Sequence, residues 1–399
     1  MLKETLAERH RSVNKEGCGA VDALRVGGYY ETNCRVCLGV AVFLRAGAHR
    51  TMEHITVGVA GAGGYAGIEL VRLLLRHPYV SLAWVMTGPA HEGLPLTKLY
   101  PHLKGFTELV CKKFDPVLAE DVDLVFLAMP HGIALRTVPD FLERGCRVID
   151  ISADYRLRDP EVFQRWYNVA HTSSGLLGQA VYGLTELYRK DLPGCRLVAN
   201  PGCYPTVSIL CLAPLVKAGL IDYDSIIIDA KSGVSGAGRG LSLVTHYPEC
   251  NEDIRAYSPG THRHAPEIDQ ELSRLCGERI CVLFVPHLAP MTRGMLATIY
   301  ARPRKPASTR ELLGVYRDFY GHEPFVRILD EEDLPSTKHV WGTNLCEITA
   351  RYDERSGKLL VLGAIDNLLK GASGQAVQNM NVVFGFPESQ GLETLGLYP

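Results

Sequence analysis

Ile55-Thr56-Val57-Gly58-Val59-Ala60-Gly61-Ala62-Gly63-Gly64-Tyr65-Ala66-Gly67, running on from Ile68 to Arg76, is the stretch on which the fold turns. Its first six residues are apolar and rich in β-branched types, as a buried strand requires. Its last nine carry apolar residues at helical spacing. The glycines between them suit a phosphate-binding turn. Glycine supplies positive φ and lets backbone come close to a pyrophosphate, which then rests on the N-terminus of the following helix. Gly61, Gly63, Gly64 and Gly67 are therefore candidate cofactor contacts, together with Tyr65. Their spacing, GxGGxxG, departs from the common GxGxxG, so the position between strand and helix carries the argument.

The same rhythm continues outward. Residues 82–86, 124–128 and 148–151 read as further strands, and 134–144 as a helix between the last two. Alternation of this kind predicts an α/β fold, a Rossmann-type doubly wound parallel sheet. After residue 200 the connections lengthen, and strands at 225–229, 281–285 and 295–301 predict a second, α+β substrate and catalytic domain. A last strand at 359–364 leads into 366–379, read as an amphipathic helix broken by small residues. The expected organisation is a cofactor domain of 52–199 with 364–399, and a catalytic domain of 200–363. Strand 82–86 is followed by Thr87-Gly88 with no acidic residue to hold a ribose 2′-OH, which favours NADP over NAD. Thr87 is the candidate 2′-phosphate contact, with His91 or Lys98 nearby.

The chain has 399 residues, 46% hydrophobic and 22% charged, with a formal net charge of −2. It is long enough for two domains, and that charge gives no reason to expect nucleic acid or an anionic membrane as partner. Its twelve cysteines sit mostly in apolar segments and suggest a reducing compartment. Cys34 and Cys37 form a lone CxxC without a second half, so no metal site is expected. Residues 1–51 lack the strand–helix rhythm, and their longest apolar run is too short to span a bilayer. They read as a dispensable or mis-assigned extension, with translation starting at Met52. Five acidic residues argue against a transit peptide. A cytoplasmic location is expected, with an organellar one left open by the extension.

Chemistry concentrates after the first sheet. Asn200-Pro201-Gly202-Cys203-Tyr204-Pro205-Thr206 sets one thiol among turn formers just before an apolar helix. Thr206 is read as its cap, and the helix N-terminus as favouring a thiolate. A buried cysteine at a tight turn is the alternative. His262-Arg263-His264 offers two candidate bases, between which the sequence does not choose, and an arginine that attracts anions. Lys231-Ser232-Gly233-Val234-Ser235-Gly236-Ala237-Gly238-Arg239 reads as an anion nest. Pro286 to Gly294 adds a rigid turn with Arg293. Arg156 is a further anion candidate, unless Asp154 pairs with it.

Taken together, GAGGYAG, AMPHG (128–132), DISADYR (150–156), YGLTEL (182–187), NPGCYPT, KSGVSGAGR, HRHAPEI (262–268), VPHLAPMTRG (285–294) and GAIDNLLKGASGQAVQNMN (363–381) resemble the N-acetyl-γ-glutamyl-phosphate reductases, relatives of aspartate-semialdehyde dehydrogenase. The likeness spans 54–386. Gly63 and Ala66 depart from it, since the family commonly has hydroxyl residues there. The resemblance implies that Cys203 attacks an acyl phosphate and that the thioester is reduced by NADPH, with His262 or His264 handling the proton. It also implies that Ser232, Gly233 and Arg239 hold substrate, beside the anion candidate Arg156, and that Asn367, Gly371 and Gln375 face the nicotinamide. A homo-oligomer, dimer or tetramer, is expected. Alternatives are the same chemistry on aspartyl phosphate or carrier-linked aminoadipyl phosphate, and a binding protein that senses NADP without catalysis.

Overall fold

β1 (Ile55–Ala60) runs through the middle of a sheet in which every pairing is parallel. The computed structural model describes residues 54–398. The expectations for 1–51, including the Cys34/Cys37 pair and the start at Met52, lie outside the described residues. To one side of β1 lie β2 (Val80–Met86) and β3 (Cys111–Lys112). To the other lie β4 (Leu124–Leu127), β5 (Arg147–Asp150), β7 (Leu197–Ala199) and β6 (Ala180–Tyr182), giving the order β3-β2-β1-β4-β5-β7-β6. The chain reverses direction across the sheet between β1 and β4, and the crevice beyond those strand ends is where doubly wound sheets take ligands. The expected strand at 82–86 begins two residues earlier, and β3, β6 and β7, each three residues or fewer, left no readable period.

The second sheet is mixed, in the order β12-β13-β14-β11-β8-β10-β9. Its strands are β8 (Ile227–Gly233), β9 (Arg255–Ala256), β10 (Leu283–Ala289), β11 (Met295–Ala301), β12 (Val326–Ile328), β13 (Cys346–Asp353) and β14 (Lys358–Ile365). The helix Cys203–Lys217 is apolar on all sides and accordingly buried on all sides, from Tyr204 to Val216. It packs against β14, β11 and the helix Ala265–Cys276.

The C-terminal segment corrects the expectation of one amphipathic helix. Leu369–Ser373 forms a π-helical turn and Gly374–Phe384 an α-helix, with nearly every residue buried. Ala376, Val377 and Met380 share a core with Val57, Ile68 and Leu70 of the first strand and helix. The chain thus returns to the first sheet after completing the second.

Candidate active site

Cys203 is the first residue of its helix, and Gly202 is the N-cap. Thr206 is not the cap: its hydroxyl donates back to Gly202 O at 2.9 Å, one turn inside the helix. The turn is held by buried Glu267, whose Oε1 accepts from Gly202 N (2.9 Å) and from the Tyr182 hydroxyl (2.8 Å). Arg156 grips the same turn through Nε to Asn200 O and Nη2 to Ile151 O, both 2.7 Å, and its Nη1 lies 3.4 Å from Glu267 Oε2. It does not pair with Asp154, which accepts instead from Gly132 N and Leu135 N.

The thiol opens into a cavity of about 250 Å³ lined by Arg156, Ser232, Tyr257, His262, Arg263 and His264, among others. A Cβ on Gly202 would lie 2.6 Å from His264 Nε2, so that nitrogen faces the cysteine turn and glycine is required there. His264 Nδ1 is buried without a partner among the described residues. His262 is placed differently. Its Nδ1 accepts from His264 N at 3.1 Å, and its ring sits 5.4–5.5 Å from the rings of Tyr204, Tyr257 and Phe284. Arg263 lies 3.2 Å from the ring nitrogens of His131 and over the Tyr167 ring, with its charge toward the cavity.

Burial dominates the electrostatics. It pushes the Cys203 thiol up to about 11, against the Tyr204 backbone N–H and the Arg156 charge, while Glu267 adds to the rise. The expectation of a thiolate at rest is therefore corrected: the helix start pulls the right way but is outweighed. Burial, with His262, Arg156 and Arg263 adding like charge, holds His264 well below its usual value. Burial and Arg263 bring His262 down to about 4. At neutral pH the thiol and both imidazoles are uncharged, and because Arg156 is paired with Glu267, the positive charge of the cavity rests on Arg263.

Ser232 lines this cavity, but the anticipated nest around it is already filled. Gly233 N, Val234 N and Ser235 N donate to Gly294 O, Met291 O and Thr292 O. Gly233 is glycine because a Cβ would lie 2.8 Å from the carbonyls of Met291 and Thr292, so it shapes the loop. Arg239 is also corrected. It lies on the glycine turn, with Nη1 3.1 Å from Gly63 O and 3.0 Å from the Tyr100 hydroxyl, and is not among the residues lining the thiol cavity. Arg293 pairs with Glu69, and its Nη1 lies 3.7 Å from Asp366.

A second cavity, about 800 Å³, is lined by Tyr65, Ser235, Arg239, Arg293, Leu368 and the 240–247 loop. The 232–239 loop walls both cavities. Gly61 has φ +98°, and a Cβ on Gly67 would meet Gly61 O at 2.1 Å, so the turn tolerates only glycine at these positions. Thr87 follows β2, 3.7 Å from a Cβ built on Gly63, and its hydroxyl is buried without a partner among the described residues; His91 Nδ1 is in the same state. Lys98 is exposed. These features fit a dinucleotide. The residues expected at the nicotinamide have these neighbours. Asn367 accepts from Gly294 N and donates to Ser235 Oγ, Gln375 donates to Thr185, and Gly371 packs on Cys203 with a would-be Cβ 2.8 Å from its Cβ. Among the described residues no cluster suited to a metal ion occurs.

A parallel sheet with a glycine turn, joined to a mixed sheet and sharing a buried thiol cavity, defines the class. Residues 56–194 match the NAD-binding domain of semialdehyde dehydrogenases, and 203–367 match their dimerisation domain. Solved structures agree on the fold. An aspartate semialdehyde dehydrogenase II of Vibrio cholerae, complexed with ASA, superposes with TM-score 0.63 at 15% identity, over 83% of this chain and 98% of that one. The Candida albicans aspartate semialdehyde dehydrogenase with NADP gives 0.58 at 16% identity, over 83% and 98%. Within that class the chain belongs to the N-acetyl-gamma-glutamyl-phosphate reductases. It is 53% identical to that reductase of Desulforudis audaxviator over 346 residues, covering 86% of this chain and 100% of the relative. It is 51% identical to those of Pelotomaculum thermopropionicum (86% and 99%) and Geobacter sulfurreducens (86% and 100%).

Sequence reading passed over several working parts. Glu267 and His131 stand inside the quoted HRHAPEI and AMPHG segments, but only the fold reveals that one clasps the cysteine turn and the other meets Arg263. Tyr257 left no signal of its own.

Proposed function

We propose that this protein reduces N-acetyl-γ-glutamyl phosphate to N-acetyl-glutamate semialdehyde and phosphate with NADPH, in arginine biosynthesis. Family membership supports the substrate. The observation that carries the chemistry is the placement of Cys203 at a helix start, in one cavity with His264 and Arg263, with His264 Nε2 set against the preceding Gly202.

Because the thiol and imidazole are both neutral at rest, His264 takes the thiol proton as sulfur attacks the acyl carbon. Arg156 Nη1 and Arg263 hold the phosphoryl and carboxylate charges. The S–C bond forms, the C–O bond to phosphate breaks, and the imidazolium returns its proton to the departing phosphate oxygen. Gly61, Gly63, Gly64, Tyr65 and Gly67 would hold NADPH along the glycine turn, and the cofactor when bound there would supply the hydride that reduces the thioester. The resulting thiohemiacetal oxyanion collapses to aldehyde and Cys203 thiolate, and one solvent proton restores the thiol. His262, boxed by aromatic rings and engaged at Nδ1, holds His264 in place. The cofactor body comprises 52–199 with 364–399, and the catalytic body 200–363.

The protein assembles as a homo-oligomer through the second sheet. Alternate residues there lie on the face turned away from the core, with Ile227 and Leu283 exposed and Val285, Thr298, Tyr300 and Leu362 partly buried. No helix among the described residues is long and apolar enough to cross a membrane.

The deciding assay is phosphate-dependent reduction of NADP⁺ by N-acetylglutamate semialdehyde. Wild type turns over and Cys203→Ser does not, while retaining NADPH binding. Faster turnover of aspartate semialdehyde, or of a carrier-linked semialdehyde, removes the substrate assignment.

A further inference from the structure

NADPH differs from NADH only in the 2′-phosphate, so discriminating between them requires positive charge where the ribose lies, beyond the end of β2. That segment, Met86-Thr87-Gly88-Pro89-Ala90-His91, carries neither lysine nor arginine. Its polar atoms nonetheless face something: Thr87 Oγ1 and His91 Nδ1 are buried without partners among the described residues. The first helix offers Arg72, but it lies 2.9 Å from Glu69. Arg293 is held by Glu69 and Asp366. The cation that does reach the turn comes from the other half of the molecule.

We propose that Arg239, on the loop leaving β8, holds the 2′-phosphate of NADPH, and so places cofactor selectivity outside the dinucleotide-binding half. This deepens the NADPH reading above and rests on it. Three contacts support it. Arg239 Nη1 donates to Gly63 O at 3.1 Å and to the Tyr100 hydroxyl at 3.0 Å, and its guanidinium stacks 5.1 Å from the Tyr100 ring centroid. Gly63 is also the residue whose Cα faces Thr87, with a built Cβ 3.7 Å from Thr87 Cβ. The guanidinium and the Thr87 side chain therefore flank one residue of the turn.

Both current partners of Arg239 are neutral oxygens, weak acceptors beside a phosphate. Its Nε and Nη2 make no hydrogen bond among the described residues, which leaves a planar fork open for bidentate contact with phosphate oxygens. Tyr100 acts as a positioning residue: its ring backs the guanidinium, and its own hydroxyl is fixed on Gly63 O at 2.8 Å. The arrangement also has a consequence for order of events. Arg239 sits on the loop whose other end carries Ser232 in the thiol cavity, so a 2′-phosphate held by Arg239 would bind the wall shared by the two cavities.

The test is calorimetric titration of the full chain with adenosine 2′,5′-bisphosphate and with AMP, which differ by that one phosphate. Wild type binds the bisphosphate more tightly. Arg239→Ala weakens the bisphosphate by roughly ten- to hundredfold, the range for lost charged hydrogen bonds, and leaves AMP unchanged. Arg239→Lys, which keeps the charge without the fork, falls between, and Tyr100→Phe, which keeps the stacking ring, weakens the bisphosphate less than Arg239→Ala does. Arg239 is exposed, so an unchanged Tm accompanies the substitution. Equal weakening of both probes moves Arg239 to the 5′-phosphate side and overturns the proposal, as does an unaffected bisphosphate. A wild type that does not distinguish the two probes removes the NADPH reading itself and this proposal with it.

Discussion

Cys203 shows how far a single residue can be read from its neighbours. Turn formers before it and an apolar run after it fixed its place at a helix start, but its ionisation depends on what surrounds the helix start, and no sequence window contains Glu267 or Arg156 as neighbours in space. Burial pushes the thiol up to about 11, so in the free protein the thiolate fraction grows about tenfold per pH unit and keeps growing past pH 10. Inactivation by iodoacetamide should therefore climb between pH 7 and 10 without a plateau. A plateau near neutrality would mean that His264 already holds the proton in a resting ion pair. The histidines separate by the same local logic. His264→Ala should lower kcat by roughly 10²- to 10⁴-fold, the usual size of a lost general base, whereas His262→Gln acts only through placement and costs less. Measuring both kcat values with intact Tm decides it, and the reverse ranking would transfer the base to His262.

At the scale of elements, long periodic segments were legible and short or buried ones were not. The helix over 134–144 and the strand over 295–301 stand close to where their periods put them, at Ala134–Glu143 and Met295–Ala301. The first half of the KSGVSGAGR loop cannot act as a nest because the Met291–Gly294 turn, more than fifty residues later, occupies the N–H groups of Gly233, Val234 and Ser235. The C-terminal segment failed as an amphipathic helix because it is enclosed on all sides. Its π-turn, unreadable by periodicity, bulges Gly371 against the cysteine turn. Gly371→Ala places a methyl 2.8 Å from Cys203 Cβ and 3.2 Å from its Cα, and neither atom can give way without moving the nucleophile. Kcat should fall by roughly 10²-fold, as for a displacement on the order of 1 Å, while NADPH affinity and far-UV circular dichroism hold. A normal kcat in this variant would show that the thiol tolerates the shift.

Over the whole molecule, two sheets divide the work, and the second faces outward in a way the first does not. The first sheet has helices on both faces and reads as nearly continuous apolar strands. The second alternates along β11 and along β8 and β10 up to their last residue, burying Ile228, Phe284 and Ile299 on one face while Ile227, Leu283 and Tyr300 stand on the other. Across the ladder Tyr300 neighbours both Ile227 and Leu360, so the outward row is apolar over adjacent strands, which is unusual for a face left to water. A second copy on this face would also bear on catalysis, because the Tyr204 hydroxyl donates to His287 O on β10, and Tyr204 and Ser232 of β8 line the thiol cavity. Tyr300→Asp would set an unpaired carboxylate into each half of a self-complementary interface, at roughly 3–5 kcal/mol per buried charge. Sedimentation should then show the monomer mass, with turnover sharply reduced, while titration still finds NADPH bound at the glycine turn on the other sheet. An oligomer that survives this substitution must be built on a different surface, and the link from sheet face to thiol cavity would fall with it.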